Sequence, residues 1–440
     1  MDHEAHGGRP QALRRGLLVL IAVVGAVALV LRFALGLGPT TNLGNTYPWG
    51  LWIVVDLVWI ALAAGGFVSA ALVHVFGGRR YAAWARGAAW MALLSYGFVA
   101  VTLLADLGRP LHVWQILVQH PAHSPLYEVS WCITIYVAVL ALELAPVLFD
   151  RFGWVRLGRP WRRAATLFTV LALTGFTWLM SRDLGWTAAA FGLFGLLAIA
   201  LGRGRPGEHA IPPMLVIAAI VLSTMHQSSL GSIFLLMPAK LDPLWWTPLL
   251  PLVFFLSAVA AGLAALLLLE AGTARVSRRS ADPEARRGVA RLTGIVLWIT
   301  LFVRVGDVLV RGHLGDVLDG GKGLLFLAEV LLGLLLPALL LASPGGRVRA
   351  PRLAASLTVG GMVLHRLDVA LLGMTLRGPM PGILPQAYVP SAIEILIVLG
   401  LFAAAGLAFG WGVRHFPILA PSVSPRSSTG PYRPGAARGG

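Results

Sequence analysis

The chain has 440 residues, 57% of them hydrophobic and only 12% charged, with a mean hydropathy of +0.79. Soluble domains carry about 25% charged residues, so this composition excludes an ordinary soluble enzyme and points to an all-α polytopic membrane protein. The net charge of +16 fits an excess of Lys and Arg in cytoplasmic loops rather than a nucleic-acid footprint, and the single Cys132 builds no disulfide, haem attachment or four-cysteine iron–sulfur site within the chain.

In chain order, residues 1–16 read as a cytoplasmic N-terminus. Arg14 and Arg15 precede the first apolar run without a clear small-residue cleavage site, the pattern of a signal anchor. Twelve runs reach the roughly 20 residues that a spanning helix needs. They are expected at about 17–37, 50–76, 84–107, 127–149, 162–181, 186–202, 211–237, 248–271, 289–311, 322–342, 353–376 and 390–412. Only "SRDLG" separates the fifth from the sixth. Residues 413–440, rich in Pro, Ser, Gly and Arg, read as a disordered cytoplasmic tail.

Charge tests the count. With the N-terminus in the cytoplasm, 26 of the 35 Lys and Arg fall in cytoplasmic segments and six on the other side, while Arg32, Arg304 and Arg366 lie within spans. A single miscounted helix would invert every later loop and destroy that asymmetry. Both termini are therefore expected in the cytoplasm, with the chain in a bacterial inner membrane and the other face periplasmic.

Nine of the 19 acidic residues lie in spans or at their ends: Asp56, Asp106, Glu128, Glu143, Glu270, Asp307, Glu329, Asp368 and Glu394. An ionised side chain at mid-membrane costs about 2.5–3.5 kcal/mol on insertion scales, so these groups should face the interior and pair or titrate. Asp56, Asp106 and Glu128 fall toward the periplasmic ends of the second, third and fourth spans. His226, in "VLSTMHQSSLGSIFLLM" at 221–237, lies roughly 16 Å below the same face at helical rise. The four are expected to converge in one pocket, with Gln227, Ser228 and Ser229 beside the imidazole. A second group reads as structural pairing on shared helix faces: Arg304 with Asp307, and Arg366 with Asp368 or Glu394. Glu270 and His74, near interfaces, read as snorkelling side chains. Two other classes remain open on these residues. His226 and His365, at similar depth, suit axial ligation of haem b, and charges at mid-membrane also occur in secondary transporters.

Five stretches carry a family resemblance: "NTYPWGLWIVVDL" at 45–57, "LLADLGRP" at 103–110, "HPAHSPLYEVSW" at 120–131, "TMHQSSLGS" at 224–232 and "MPAKLDPLWWTPLLPLVFFLSA" at 237–258. In this order they resemble the HybB branch of the NrfD/PsrC family, the membrane subunit type labelled cytochrome b in Ni/Fe hydrogenases. The likeness extends over about 40–410, within a transmembrane domain at 17–412. It implies two four-helix bundles, a quinone pocket near the periplasmic face and no haem or iron–sulfur cluster in this chain. It also implies a subunit that is not catalytic alone. Electrons would pass between a periplasmic ferredoxin-like iron–sulfur protein, with hydrogenase small and large subunits behind it, and menaquinone or ubiquinone in the bilayer. Sulfur-compound oxidoreductases and alternative complex III use related subunits and are the alternatives. On this resemblance His226 would meet a quinone carbonyl. Gln227 and the serines would fix its tautomer, and Glu128, Asp106 and Asp56 would carry protons. Tyr127, Trp49 and Trp52 would line the ring. The family usually has eight to ten spans, and the excess maps to a hairpin at 162–202.

Overall fold

The computed structural model describes the chain except for residues 1–4, 45, 46, 48, 77, 120–123, 203–210, 278–281, 343–347, 375–387, 417 and 419–440. Twelve of its helices are long and apolar enough to cross a membrane. They are α1 (Ala12–Leu35), α2 (Leu51–His74), α3 (Trp84–Asp106), α4 (Leu126–Phe152), α5 (Gly158–Ser181), α6 (Leu184–Gly202), α7 (Pro213–Leu235), α8 (Leu250–Thr273), α9 (Pro283–Val310), α10 (Gly320–Leu341), α11 (Pro351–Leu372) and α12 (Ala392–His415). Every expected span is present. The largest shift is at α9, which starts at Pro283 because the Asp282 side chain accepts from the Glu284 backbone N–H at 2.9 Å, an N-cap with proline in the first turn. Helical backbone begins already at Ala5, so most of the expected N-terminal segment extends α1. The expected tail falls almost entirely outside the described residues.

Two closed rings of four helices form the centre. In the first, α2 packs on α3, α3 on α4, α4 on α7 and α7 on α2; in the second, α8, α9, α10 and α11 close in the same way. The rings meet where α8 lies against α2 and α7. That seam depends on glycine: a Cβ on Gly262 would sit 2.5 Å from the Gly65 nitrogen and 2.7 Å from the Ala64 carbonyl carbon. Close approach of small residues is how apolar helices gain packing where lipid supplies no hydrophobic drive. Outside the rings, α1 pairs with α12, and α12 leans on α3. The α5–α6 hairpin packs on α4 and α7, so the pair at 162–202 lies at the periphery of the first ring. Both rings begin at the same end and alternate direction in the same sense.

Inside the second ring the charges pair differently from expectation. Arg304 does not neutralise Asp307. It donates across the ring to Glu329 at 3.1 Å, and Glu329 also accepts from the Trp245 indole at 3.1 Å and lies 3.0 Å from Nδ1 of His365. Asp307 instead meets Arg311 at 2.7 Å and the Thr247 hydroxyl at 2.7 Å. Arg366 pairs with neither Asp368 nor Glu394. It donates to the Phe254 carbonyl at 3.0 Å and Ser257 Oγ at 3.1 Å, and lies over the Phe254 ring at 3.6 Å. A guanidinium deep in a ring has several donors to satisfy, and facing helices offer more acceptors than its own helix does. Wide π-helical turns begin at Glu329 and at Asp368, where they re-aim the following side chains.

Candidate functional site

The second ring still leaves both Asp368 oxygens and Nε and Nη1 of Arg366 buried without partners, and the first ring gathers such groups around one imidazole. His226, at the middle of α7, is 1% exposed, and neither ring nitrogen has a hydrogen-bond partner. Its imidazole faces the Tyr96 ring of α3 at 5.8 Å, and Tyr96 in turn meets Tyr136 of α4 edge-on at 4.7 Å. The hydroxyls of Tyr96, Tyr136 and Ser223 are buried together and find no partner outside their own cluster. An unsatisfied buried polar group costs about 1–3 kcal/mol, so such a cluster is a standing cost that calls for a ligand or a use.

Gln227 does not fix the His226 tautomer. Its amide donates to the Ile60 carbonyl of α2 at 2.7 Å, which ties α7 to α2. Ser229 bonds the His226 backbone carbonyl at 3.1 Å and Ser232 that of Ser228 at 3.2 Å. One residue's step along a helix turns a side chain by about 100°, so Gln227 points away from the imidazole although it is adjacent in sequence.

Toward the end of the ring where α3 stops, the acidic residues form a stair. Asp56 is 3% exposed, accepts from the Thr102 hydroxyl and leaves Oδ2 without a partner. It lies one turn from Ile60, roughly 6 Å above the level of Gln227. Asp106, a further turn along α3 from Thr102, has Oδ1 buried and unpartnered. The Arg32 guanidinium of α1 brackets it, donating to the Ala105 and Leu107 carbonyls at 2.6 Å each. These are among the last carbonyls of α3, which lack intrahelical donors. Glu128, half-buried in the first turn of α4, makes no side-chain hydrogen bond among the described residues. Glu394 belongs to this end too: it accepts from Tyr388 and from the Ser391 N–H at 2.8 Å, while Tyr388 accepts from the Leu51 N–H at 3.2 Å at the head of α2. Burial, reinforced by Glu394, pushes the Tyr388 hydroxyl up, which keeps it protonated as a donor.

The aromatic expectations divide. Trp49 packs edge-on against Phe234 of α7 at 5.8 Å, at the rim of the ring, and Trp52 is buried with its indole N–H unpartnered. Tyr127 is buried, but its hydroxyl accepts from Arg182 of the hairpin turn at 3.1 Å, so it anchors the hairpin. At the same end, a hollow of about 660 Å³ lined by Phe33, Leu104 and Arg109–His112 opens between α1 and the end of α3. Among the described residues no group of three or more His, Cys, Asp or Glu is placed to hold a metal ion. Sequence reasoning missed Tyr96, Tyr136, Thr102 and Arg32. A tyrosine facing inward carries no charge or motif signal, and Arg32 had only its position within a span.

Residues 39–376 match the family model described as polysulphide reductase, NrfD. The chain belongs to the NrfD family. Three relatives align along nearly their whole length. A protein of Nitratidesulfovibrio vulgaris is 31% identical over 91% of this chain and 92% of its own. The probable Ni/Fe-hydrogenase 2 b-type cytochrome subunit of Escherichia coli is 28% identical over 91% of each. The menaquinone reductase integral membrane subunit of Nitratidesulfovibrio vulgaris is 25% identical over 87% and 86%. In this NrfD protein the blocks at 45–57, 103–110, 120–131 and 224–232 all fall on the first ring, at α2, the end of α3, the start of α4 and α7. The fifth block joins α7 to α8 and so links the rings.

Proposed function

We propose that this chain is the quinone-reactive membrane subunit of a respiratory oxidoreductase, passing electrons between an iron–sulfur partner and the membrane quinone pool. The observation that carries the reading is the unpartnered His226 imidazole among the hydroxyls of Tyr96, Tyr136 and Ser223, below the acidic stair. A quinone head group presents two carbonyl oxygens that need donors, and its two-electron reduction takes up two protons. His226 holds one carbonyl. Asp56, Asp106 and Glu128 pass protons from the end of the ring, in steps of about a helical turn. The hollow at the end of α3 admits the ring from the bilayer, since its wall includes the exposed Phe33 and Leu111.

The names of the relatives support this reading, one being a menaquinone reductase subunit and another a hydrogenase subunit. Menaquinone is the favoured substrate and a NiFe hydrogenase, through a ferredoxin-like protein, the favoured partner. The loops at the Asp106 end, at 36–50, 107–125, 236–249 and 373–391, face the periplasm and receive that partner, while the basic end and both termini lie in the cytoplasm. Haem b is the weaker reading. His226 and His365 sit in different rings, and the His365 imidazole is engaged by Glu329 at 3.0 Å.

The test uses the assembled complex and two acceptors, a quinone and a soluble dye. His226→Leu should abolish quinone reduction and leave dye reduction intact, and Glu128→Gln should weaken turnover more than quinone binding. Wild-type quinone activity in His226→Leu would overturn the reading.

A further inference from the structure

The α5–α6 hairpin is packed too loosely to explain its own position. None of α6 is buried against protein over its best spanning window. Between it and the ring lies a cleft of about 690 Å³, within the range of roughly 300–1,000 Å³ typical of ligand sites. One rim is Arg159, Arg162 and Arg163, on successive turns at the start of α5. No carboxylate among the described residues pairs with them, and Nε of Arg162 is buried without a hydrogen-bond partner. Below the rim the walls are apolar: Val170 on α5, Phe191 and Gly195 on α6, Met214 on α7. From Gly202 to Phe191 the cleft runs eleven residues along α6, roughly 16 Å, which is one leaflet of a hydrocarbon core about 30 Å thick.

A cationic rim at interface depth over an apolar slot one leaflet deep has the shape and charge of an amphiphile bearing an anionic head. We propose that this cleft binds one anionic phospholipid, its phosphate among Arg159, Arg162 and Arg163 and an acyl chain between α5 and α6. The lipid supplies the packing that α6 lacks and fastens the hairpin to α7. Choice of a lipid over a free anion follows from the apolar wall, which a free anion would leave open. The rim lies at the end opposite Asp106, where the loops are most basic and attraction to anionic headgroups is strongest. This inference does not depend on the quinone reading.

The test measures binding of labelled phosphatidylglycerol to the purified full-length chain in phosphatidylcholine vesicles. Each arginine near a membrane surface contributes about fivefold, so Arg159→Gln, Arg162→Gln and Arg163→Gln together should weaken phosphatidylglycerol binding roughly a hundredfold. Gly195→Leu should also abolish binding while leaving every charge in place, because no atom lies within 4 Å of a Cβ there and the new side chain fills the slot. Arg275→Gln, Arg278→Gln and Arg279→Gln remove as much charge elsewhere in the sequence and should leave binding unchanged. Three results would overturn the proposal: an unchanged affinity in the rim variant or Gly195→Leu, phosphatidylcholine binding as tightly as phosphatidylglycerol, or inorganic phosphate displacing the lipid at equal concentration.

Discussion

Replacing Arg304 with methionine should destabilise the protein by about 3–5 kcal/mol, the usual cost of leaving one member of a buried ion pair uncompensated. Arg304 is 0% exposed and Glu329 3%, so neither charge can turn to water. The guanidinium reaches Glu329 at 3.1, 3.3 and 3.4 Å and the Leu244 carbonyl at 3.4 Å. Without it Glu329 keeps the Trp245 indole at 3.1 Å and the His365 imidazole at 3.0 Å. Those two contacts soften the loss and place the expected cost near the lower bound, about 3 kcal/mol. Adding Glu329→Gln removes the stranded charge while the side-chain oxygen still accepts from Trp245. The double variant should therefore recover most of the loss, with a coupling of about 2 kcal/mol. The assay is thermal unfolding of the purified chain, wild type, both single variants and the double in the same detergent. Additive losses in the double variant, or a wild-type midpoint for Arg304→Met, would refute the reasoning.

Gly262→Leu should prevent the two rings from closing and give no monodisperse protein by size exclusion, since even the first added carbon meets the Gly65 backbone. Tyr127→Phe removes one hydrogen bond to Arg182, about 1 kcal/mol; faster proteolysis in the hairpin turn should report it, with quinone reduction unchanged. Reporter fusions at Arg182 and Arg279 should fall on opposite sides of the membrane, and the same side for both would mean that α5 and α6 do not both cross. In the turn between α9 and α10, the hydrogen bond from His313 at 2.8 Å holds the Asp316 carboxyl below its usual value of 3.8. A lowered folded-state value means that this contact stabilises fully above the ordinary value and is lost as pH falls through the lowered one. Amide exchange in the turn should accelerate only under strong acid, and His313→Ala should shift that onset to higher pH.

Much of this architecture was legible because bilayer thickness imposes a length and each crossing a sign on the loops. All twelve spans, including the hairpin divided only at Arg182 and Asp183, are set by those two constraints. Pairing inside the rings was not legible. Arg304 and Asp307 are three residues apart, yet each bonds to another partner, because partner choice depends on which helices face one another. The same applies to Glu394, which sequence order assigned to the second group and which meets Tyr388 at the head of α2. His226 was legible as a polar residue at depth. Its neighbours Tyr96 and Tyr136 were not, since aromatic residues in spans serve mostly as packing.

The parallel course of the two rings has an energetic consequence. His226 and His365 occupy matching places, each midway along the last helix of its ring. In one ring no side chain reaches the imidazole nitrogens, and in the other Glu329, itself held by Arg304, lies 3.0 Å from Nδ1. An imidazole with both nitrogens unpartnered, at about 1–3 kcal/mol for each buried group left so, is a sizeable share of the net stability of a typical domain, about 5–15 kcal/mol. A lone four-helix ring carrying that load would stand close to unfolding. Fused along α8 to a second ring braced by the buried Arg304–Glu329 pair, it can keep its vacant donors and acceptors in place. The second ring carries buried unpartnered groups of its own, on Arg366 and Asp368, so the molecule's rigidity rests on the glycine seam between the rings as much as on either half.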